Sequence, residues 1–485
     1  MKYNYLLLLL LSFLINQDIY TNYLVENGDT IDVFSYQIPL EYDDSNSHPL
    51  LVAFHQWGGN ENSNYYTQFD EEANNRNWIM LSPYGGSSNN YNHQGAQAMV
   101  EGEILWMIDH YNIDSKRIYM VGGSMGGAAG AIYANNHLDP TRPMIAATVS
   151  ASGILDCERR AIEMDGNNSM IEWFGGNWDE VPFEYHRNSA VYFADSTQSM
   201  HYNLQHTPLY LDFGETEPHR IHAEDLYNLL LHYNESMWID TDPTGSHGYS
   251  VIDANHACDW LSQYNQDYLD EPQMPYSVNV NLDEPSRAYW LESTNQFIED
   301  QFIRINANWE NSDGGTAEYI MIDQISNSDS LILHVLDEDI EDFFLELNTP
   351  LNLGFSGVMV ENESLLNSLS LTGIPLGCSI DYILIDNVMW LTSSMVIEEG
   401  EIPCYEEFSL LEGEYSLIFE FNSPEFYEDI NQDGIWDIID IILVINHIMG
   451  TNYLTQLQQS LADLNQDGII NILDIMQIMN IILEN

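Results

Sequence analysis

The stretch RIYMVGGSMGGAAGAIYANNH, residues 117–137, decides how the first half of the chain is read. Ile118, Tyr119, Met120 and Val121 are β-branched, aromatic or apolar and predict a strand. The alanine-rich end predicts a helix. Between them lies Gly122-Gly123-Ser124-Met125-Gly126-Gly127. One reading of so many glycines is a flexible linker. The other is a tight strand–turn–helix bend that lifts a single serine hydroxyl clear of a sheet edge, and the flanking patterns favour it.

Working outward, HPLLVAFHQ, NWIMLSPYG, MIAATVSASG and TPLYLDFGE are further short apolar runs that end in turn residues. AMVEGEILWMIDHYN has helical spacing. Strands alternating with helices imply an α/β domain, a mostly parallel sheet covered on both faces. This domain is expected over residues 18–272. After NQDYLDEPQMPYS the texture changes to short alternating runs such as QFIRINANWE, EYIMIDQI and EYSLIFEFN, separated by Asn, Ser, Gly and Asp. These predict an antiparallel β-sandwich over residues 273–423, with Tyr289 and Trp290 in its core. Residues 424–485 form a third, smaller helical unit.

The balance of 11 Lys+Arg against 76 Asp+Glu gives a formal charge of −65. Such a surface repels nucleic acid and anionic lipid, attracts divalent cations and tolerates high salt, which predicts greater stability in brine than in dilute buffer. At the N-terminus, Lys2 precedes an apolar run from Leu6 to Leu14, too short to span a bilayer. Residues 1–17 therefore read as a secretory signal peptide, and no later segment reads as a transmembrane helix. Export places the four cysteines in an oxidising compartment. Pairing within each region, Cys157 with Cys258 and Cys378 with Cys404, is expected.

The C-terminal segment repeats. DINQDGIWDIIDIILVINHIMG and DLNQDGIINILDIMQIMNIILEN align without a gap, 34 residues apart. In loop positions 1, 3, 5, 7, 9 and 12, the first copy offers Asp429, Asn431, Asp433, the Ile435 carbonyl, Asp437 and Asp440. The second offers Asp463, Asn465, Asp467, the Ile469 carbonyl, Asn471 and Asp474. Alternating short oxygen side chains about a turn glycine, Gly434 or Gly468, suit a hard cation such as Ca²⁺. An apolar helix follows each loop, Ile441–Met449 and Ile475–Leu483. The duplicated loop–helix resembles a type I dockerin, which implies two Ca²⁺ ions and a cohesin partner. Positions 10 and 11, often polar in that family, are here Ile438, Ile439, Ile472 and Leu473. Intramolecular packing of the module therefore stands beside cohesin binding.

Gly122-Gly123-Ser124-Met125-Gly126 matches the nucleophile elbow G-x-S-x-G. Ser124 is the candidate nucleophile, and the Met125 N–H would face a developing oxyanion. LLVAFHQWGGNEN resembles the HGxGG oxyanion loop of esterases, with Gln56 in place of the first glycine. Trp57 is assigned the second N–H, with Gln56 the next choice, and His55 is expected to order the loop. The acid and base should follow the serine in sequence. In TPLYLDFGETEPHR the acid is Glu217, with Glu215, Asp212 and Asp156 as rivals. In DPTGSHGYSVIDANHACDW the base is the loop residue His247 rather than the helical His256.

Residues 49–264 as a whole resemble secreted α/β-hydrolase esterases of the polyhydroxyalkanoate depolymerase and feruloyl or acetyl-xylan esterase group, and the catalytic domain of prolyl oligopeptidase-type enzymes. The resemblance implies a secreted serine carboxylic-ester hydrolase acting on polysaccharide-linked or polyester acyl groups. Catalysis would run through Ser124, His247 and Glu217 without a cofactor. A serine peptidase with the same triad is the alternative, and a non-catalytic surface or scaffold protein is the alternative of a different class. The aromatic run MIEWFGGNWDEVPFEY, residues 170–185, reads either as a lid or acyl pocket or as core.

Overall fold

A computed structural model describes residues 18–164, 169–266, 274–311, 317–328 and 330–334, and short strands between 342 and 422. In the C-terminal region it describes residues 430, 438–449, 454, 462, 464 and 470–484. The signal-peptide reading of residues 1–17 lies outside the described residues.

The first eight strands are β1 (Ile19–Glu26), β2 (Asp29–Gln37), β3 (His48–Phe54), β4 (Ile79–Pro83), β5 (Ile113–Gly123), β6 (Ala147–Ala151), β7 (Leu209–Gly214) and β8 (Met237–Asp242). They form one sheet in the order 1-2-4-3-5-6-7-8. β2 runs antiparallel to β1 and β4, and the remaining pairings are parallel. The helices are α1 (Phe69–Asn75), α2 (Gln94–His110), α3 (Met125–Asn136), α4 (Cys157–Glu163), α5 (Met170–Phe174), α6 (Pro182–Arg187), α7 (Arg220–Leu230) and α8 (Ala254–Leu261).

Side-chain alternation explains why the central strands read as unbroken apolar runs. Leu50, Val52, Ile118, Met120, Leu209 and Leu211 pack with α2, α3 and α7. Leu51, Ala53, Tyr119, Val121 and Tyr210 face the other way and pack with α1 and α8. A strand buried on both faces has no polar side left to show.

Beside a two-stranded sheet that pairs 365–366 with 408–409, the described residues of the second region form two larger sheets. One joins, in order, the strands at 402–403, 368–372, 342–347, 317–326, 303–311 and 277–282; the other is built on the strands at 287–293, 330–334, 352–359, 379–389 and 413–422. Trp290 and Trp309 meet edge to face between them at 5.2 Å, and Tyr289 is buried beside them. The core placement of Tyr289 and Trp290 follows the sequence reading. The strictly antiparallel pattern does not hold. Strand 317–326 pairs parallel with 342–347, 342–347 with 368–372, and 330–334 with 352–359. The intervening segments are long enough to cross over, which parallel pairing requires.

This region is fastened to the hydrolase-like one. Asn203 and Asn281 exchange two hydrogen bonds at 2.8 Å, Arg187 pairs with Asp283 at 2.6 Å, and Phe183 packs on Phe302.

Among the described residues two C-terminal helices follow, α9 (Ile438–Ile448) and α10 (Ile472–Glu484). Ile430, Val444, Leu454, Ala462, Ile475 and Ile478 form their shared core. Each helix begins three residues earlier than the sequence pattern indicated, so Asp440 and Asp474 fall in its first turn.

The expected bridge between Cys157 and Cys258 is corrected. Both are free and buried. Cys157 opens α4 in a cluster with Met125, Ile154 and Tyr185, where its thiol donates to the Asn188 carbonyl at 3.2 Å. Cys258 sits among the residues of α1 and α8, beneath the other face of the sheet. The two sulfurs belong to separate apolar clusters, and burial pushes both thiols up to about 12. Cys378 and Cys404 lie outside the described residues.

Candidate active site

β5 runs straight into α3 through Ser124, whose backbone adopts φ 57° and ψ −119°. A non-glycine residue in this region is strained by roughly 1–3 kcal/mol and is held there by its surroundings. Those surroundings are glycines. A Cβ on Gly122 would lie 2.0 Å from the Gly126 carbonyl oxygen, and one on Gly126 would lie 2.5 Å from that of His55. The Ser124 N–H donates to Ala151 O at 2.8 Å, and its carbonyl accepts from Gly127 at 3.0 Å.

His247 stands between β8 and the short 3₁₀ turn Gly248–Val251. Asp242 closes the loop at its root, accepting from the N–H groups of Thr244 and Gly245 at 2.6 and 2.7 Å. His247 Nε2 lies 2.7 Å from Ser124 Oγ, and its Nδ1 lies 2.7 Å from Glu217 Oε2. Glu217 follows β7 in a tight turn. Its Oε1 accepts from the Gly214 N–H at 3.2 Å, and the residue is only 4% exposed. The structure thus brings Ser124, His247 and Glu217 into one hydrogen-bonded series.

The rival residues lie elsewhere. Glu215 is exposed. Asp212 accepts from Tyr210 Oη at 3.1 Å, and burial raises its pKa to about 7. Asp156 caps α4, accepting from the N–H groups of Arg159 and Phe193. His256 lies in the first turn of α8 against Tyr210 and Trp238.

Met125 is the first residue of α3, and a helix leaves its first N–H groups without intrahelical partners. The loop after β3 bends around His55, which touches Gln56 O at 2.8 Å through Nδ1 and Tyr84 O at 3.0 Å through Nε2. Its role is to order the loop, as the sequence suggested. Gly58 N–H donates to Ser88 O at 2.7 Å, and Trp57 projects outward, 58% exposed. Of the aromatic run, Phe174 is core, while Trp173 and Trp178 are half-buried against the cluster containing Met125. Trp173 stacks on His93 at 4.7 Å.

Several supporting residues carried no usable signal in the sequence. Asn92, at φ 54°, donates from Nδ2 to the Met125 carbonyl at 3.0 Å. Tyr249 and Gly248 continue the histidine loop. The Asn-rich run before α2 is the one visible hint, because asparagine tolerates left-handed backbone.

Glu163, His219 and His222 also gather near His247. Glu163 lies 3.4 Å from His219 Nδ1 and 3.9 Å from His222 Nε2, and the rings of His219 and His247 are 5.5 Å apart. The Asp156 N–H donates to His222 Nδ1 at 3.3 Å, which leaves the proton of the neutral ring on Nε2. That is the wrong nitrogen for a metal ligand. Burial, then Arg159, pushes the His222 pKa down to about 3.

Sheet order and elbow define an α/β-hydrolase fold. Residues 427–483 match the family described as dockerin type I domain. Among curated proteins no relative is matched. Among solved structures the chain is similar to an S-formylglutathione hydrolase from Staphylococcus aureus, at 16% identity and TM-score 0.40, covering 50% of this chain and 98% of that one. It is similar to a ferulic acid esterase at 14% identity and TM-score 0.38, covering 50% and 95%. A Pyrococcus horikoshii acylaminoacyl peptidase matches at 14% identity and TM-score 0.38, covering 51% of this chain and 40% of that one.

Proposed function

We propose that the protein is a secreted serine carboxylic-ester hydrolase acting on acyl groups carried by a polysaccharide or polyester. The observation that carries this reading is the pair of 2.7 Å contacts that link Ser124 Oγ to His247 and His247 to Glu217. Ser124 attacks the ester carbonyl and gives its proton to His247 Nε2. Glu217, on Nδ1, selects the tautomer that makes Nε2 basic and stabilises the imidazolium. The N–H groups of Met125 and Trp57 hold the tetrahedral oxyanion. His247 then protonates the leaving alkoxide, and water, activated by the same imidazole, releases the acyl group.

The C-terminal module is proposed to hold two Ca²⁺ ions. The donors are Asp429, Asn431, Asp433, Asp437 and Asp440 in one loop and Asp463, Asn465, Asp467, Asn471 and Asp474 in the other, with the carbonyls of Ile435 and Ile469. Positions 429, 431, 433, 435, 437, 463, 465, 467 and 469 lie outside the described residues. The described ones fit a hard cation. Asp440 and Asp474 are fully buried carboxylates, each turned back onto a backbone N–H of its own loop, Ile430 at 3.0 Å and Asn471 at 2.9 Å. Bound Ca²⁺ supplies charge to order the loops and has no part in the ester chemistry.

A cohesin-type partner is proposed for the exposed apolar residues of this module. Ile442, Ile445 and Ile448 on α9, and Ile472, Met476 and Met479 on α10, recur at helical spacing and remain exposed. Among the described residues no helix is long and apolar enough to cross a membrane.

The test is hydrolysis of p-nitrophenyl acetate beside a chromogenic prolyl peptide. Turnover of the ester that is lost in Ser124→Ala supports the reading. Turnover of the peptide alone would replace it with a peptidase.

A further inference from the structure

The loop that carries His247 is fastened to the loop after β3 through Tyr249. Tyr249 lies two residues past His247. Its hydroxyl donates to the Phe54 carbonyl at 2.7 Å and approaches the Val121 carbonyl at 3.4 Å. Phe54 ends β3, directly before His55-Gln56-Trp57, and Val121 lies in β5, three residues before Ser124. Burial raises the pKa of the phenol, so the hydroxyl stays a donor. The residue also presses on the elbow. A Cβ on Gly123 would lie 2.8 Å from Tyr249 N and 3.0 Å from its Cδ2.

A second contact joins the same two loops. Gly248 adopts φ +63°, and a Cβ there would fall 1.8 Å from Gln56 Oε1. The Gln56 amide therefore fills space that only a glycine leaves open. This accounts for the glycine beside the base. The amide packs against the residue next to the base.

We propose that Tyr249 and Gln56 are positioning residues that hold the His247 loop and the Trp57 loop as one unit around Ser124. The inference rests on the roles proposed above for Ser124, His247 and Trp57. Such a clamp is needed because the His247 side chain is 37% exposed and is not held in place by burial of its own. A displacement of about 1 Å between base, nucleophile and oxyanion donors costs on the order of a hundredfold in rate.

Tyr249→Phe keeps the ring and removes the hydroxyl. Gln56→Ala removes the amide from Gly248. Tyr119→Phe is the matched control, a buried tyrosine in β5 whose hydroxyl donates to Tyr264 O at 2.9 Å, away from the His247 loop. Tyr249→Phe and Gln56→Ala are each expected to lower kcat on p-nitrophenyl acetate by about tenfold or more with KM changed less than about threefold. Tyr119→Phe is expected to keep its kcat despite a similar loss in Tm. Equal kcat values in Tyr249→Phe and Tyr119→Phe would reduce Tyr249 to a structural role and overturn the proposal. Should Tyr249→Phe not fold, an unchanged kcat in Gln56→Ala overturns it. A fluorophosphonate probe is applied to wild type first. Failure to label Ser124 there defeats the serine-hydrolase reading and the clamp with it, a result distinct from equal rates among active variants.

Discussion

At the scale of single residues, Glu217 illustrates how a carboxylate acquires a role from its surroundings. The chain carries 76 acidic residues, and most of the described ones are exposed or half-buried. Glu217 differs because a turn after β7 buries it and leaves one oxygen on the Gly214 N–H and the other on His247. Glu217→Gln keeps the shape but presents an amide that can stabilise the wrong imidazole tautomer. It is expected to lower kcat by roughly 10³- to 10⁴-fold with little change in Tm, measured by steady-state kinetics and thermal melting. A fall of less than tenfold would assign the orienting role to another acid. Ser124 was legible because the strand and helix patterns on either side favour a bend over a linker for its flanking glycines. Glu217 and His247 were legible as positions in loops after late strands, with rivals beside them. Tyr249, Gln56 and Asn92 were not legible. Their contacts join segments more than thirty residues apart, and no local pattern encodes those.

At the scale of elements, the sheet was readable because strands buried on both faces write continuous apolar runs. The β region was readable only as alternation, which does not distinguish parallel from antiparallel partners. The cysteine bridge failed for a related reason. Compartment chemistry says that thiols oxidise, but not which apolar layer each thiol occupies. One contact between elements makes its own prediction. Glu103 on α2 is fully buried, with no N–H or hydroxyl donor on either oxygen, and it faces the carboxylate of Asp32 on β2. Asp32 accepts from the N–H groups of Gly85 and Gly86 at 2.7 and 3.0 Å, holding the turn after β4. Burial, then the Asp32 charge, raises the Glu103 pKa well above its ordinary value. The folded state therefore binds the proton more tightly than the unfolded chain. This contribution to stability is complete below the unfolded carboxyl pKa and is lost as pH rises through the raised folded value. Glu103→Gln is expected to flatten that decline and to be more stable than wild type by about 1–2 kcal/mol at pH 8, by urea denaturation. A parallel decline in both proteins would show that Glu103 is already ionised. In the C-terminal module, chelation of Ca²⁺ by EDTA is expected to abolish the melting transition of α9 and α10 while leaving ester hydrolysis within about twofold of its starting rate. Loss of both together would place a cation in the hydrolase itself.

At the scale of the whole molecule, charge dominates. A chain at −65 repels itself, and at an ionic strength of about 1 M the screening length falls to roughly 3 Å, against about 10 Å at 0.1 M. The Tm of the full chain is expected to rise by about 5 °C or more between 0.1 and 2 M NaCl. An unchanged Tm would mean that the acidic residues are spaced widely enough not to interact. The same charge leaves few cations to hold an anionic substrate, which suits a neutral ester. The parts then form a coherent set: a serine hydrolase fold, a β-sandwich packed on it, and a dockerin type I segment at residues 427–483. The central claim is that the bend between β5 and α3 makes Ser124 a nucleophile, and covalent labelling tests it most directly. Folded protein treated with a fluorophosphonate and analysed by peptide mass spectrometry should carry one adduct, on Ser124, and none in His247→Ala over the same interval. An unlabelled Ser124, or equal labelling without His247, would contradict the account.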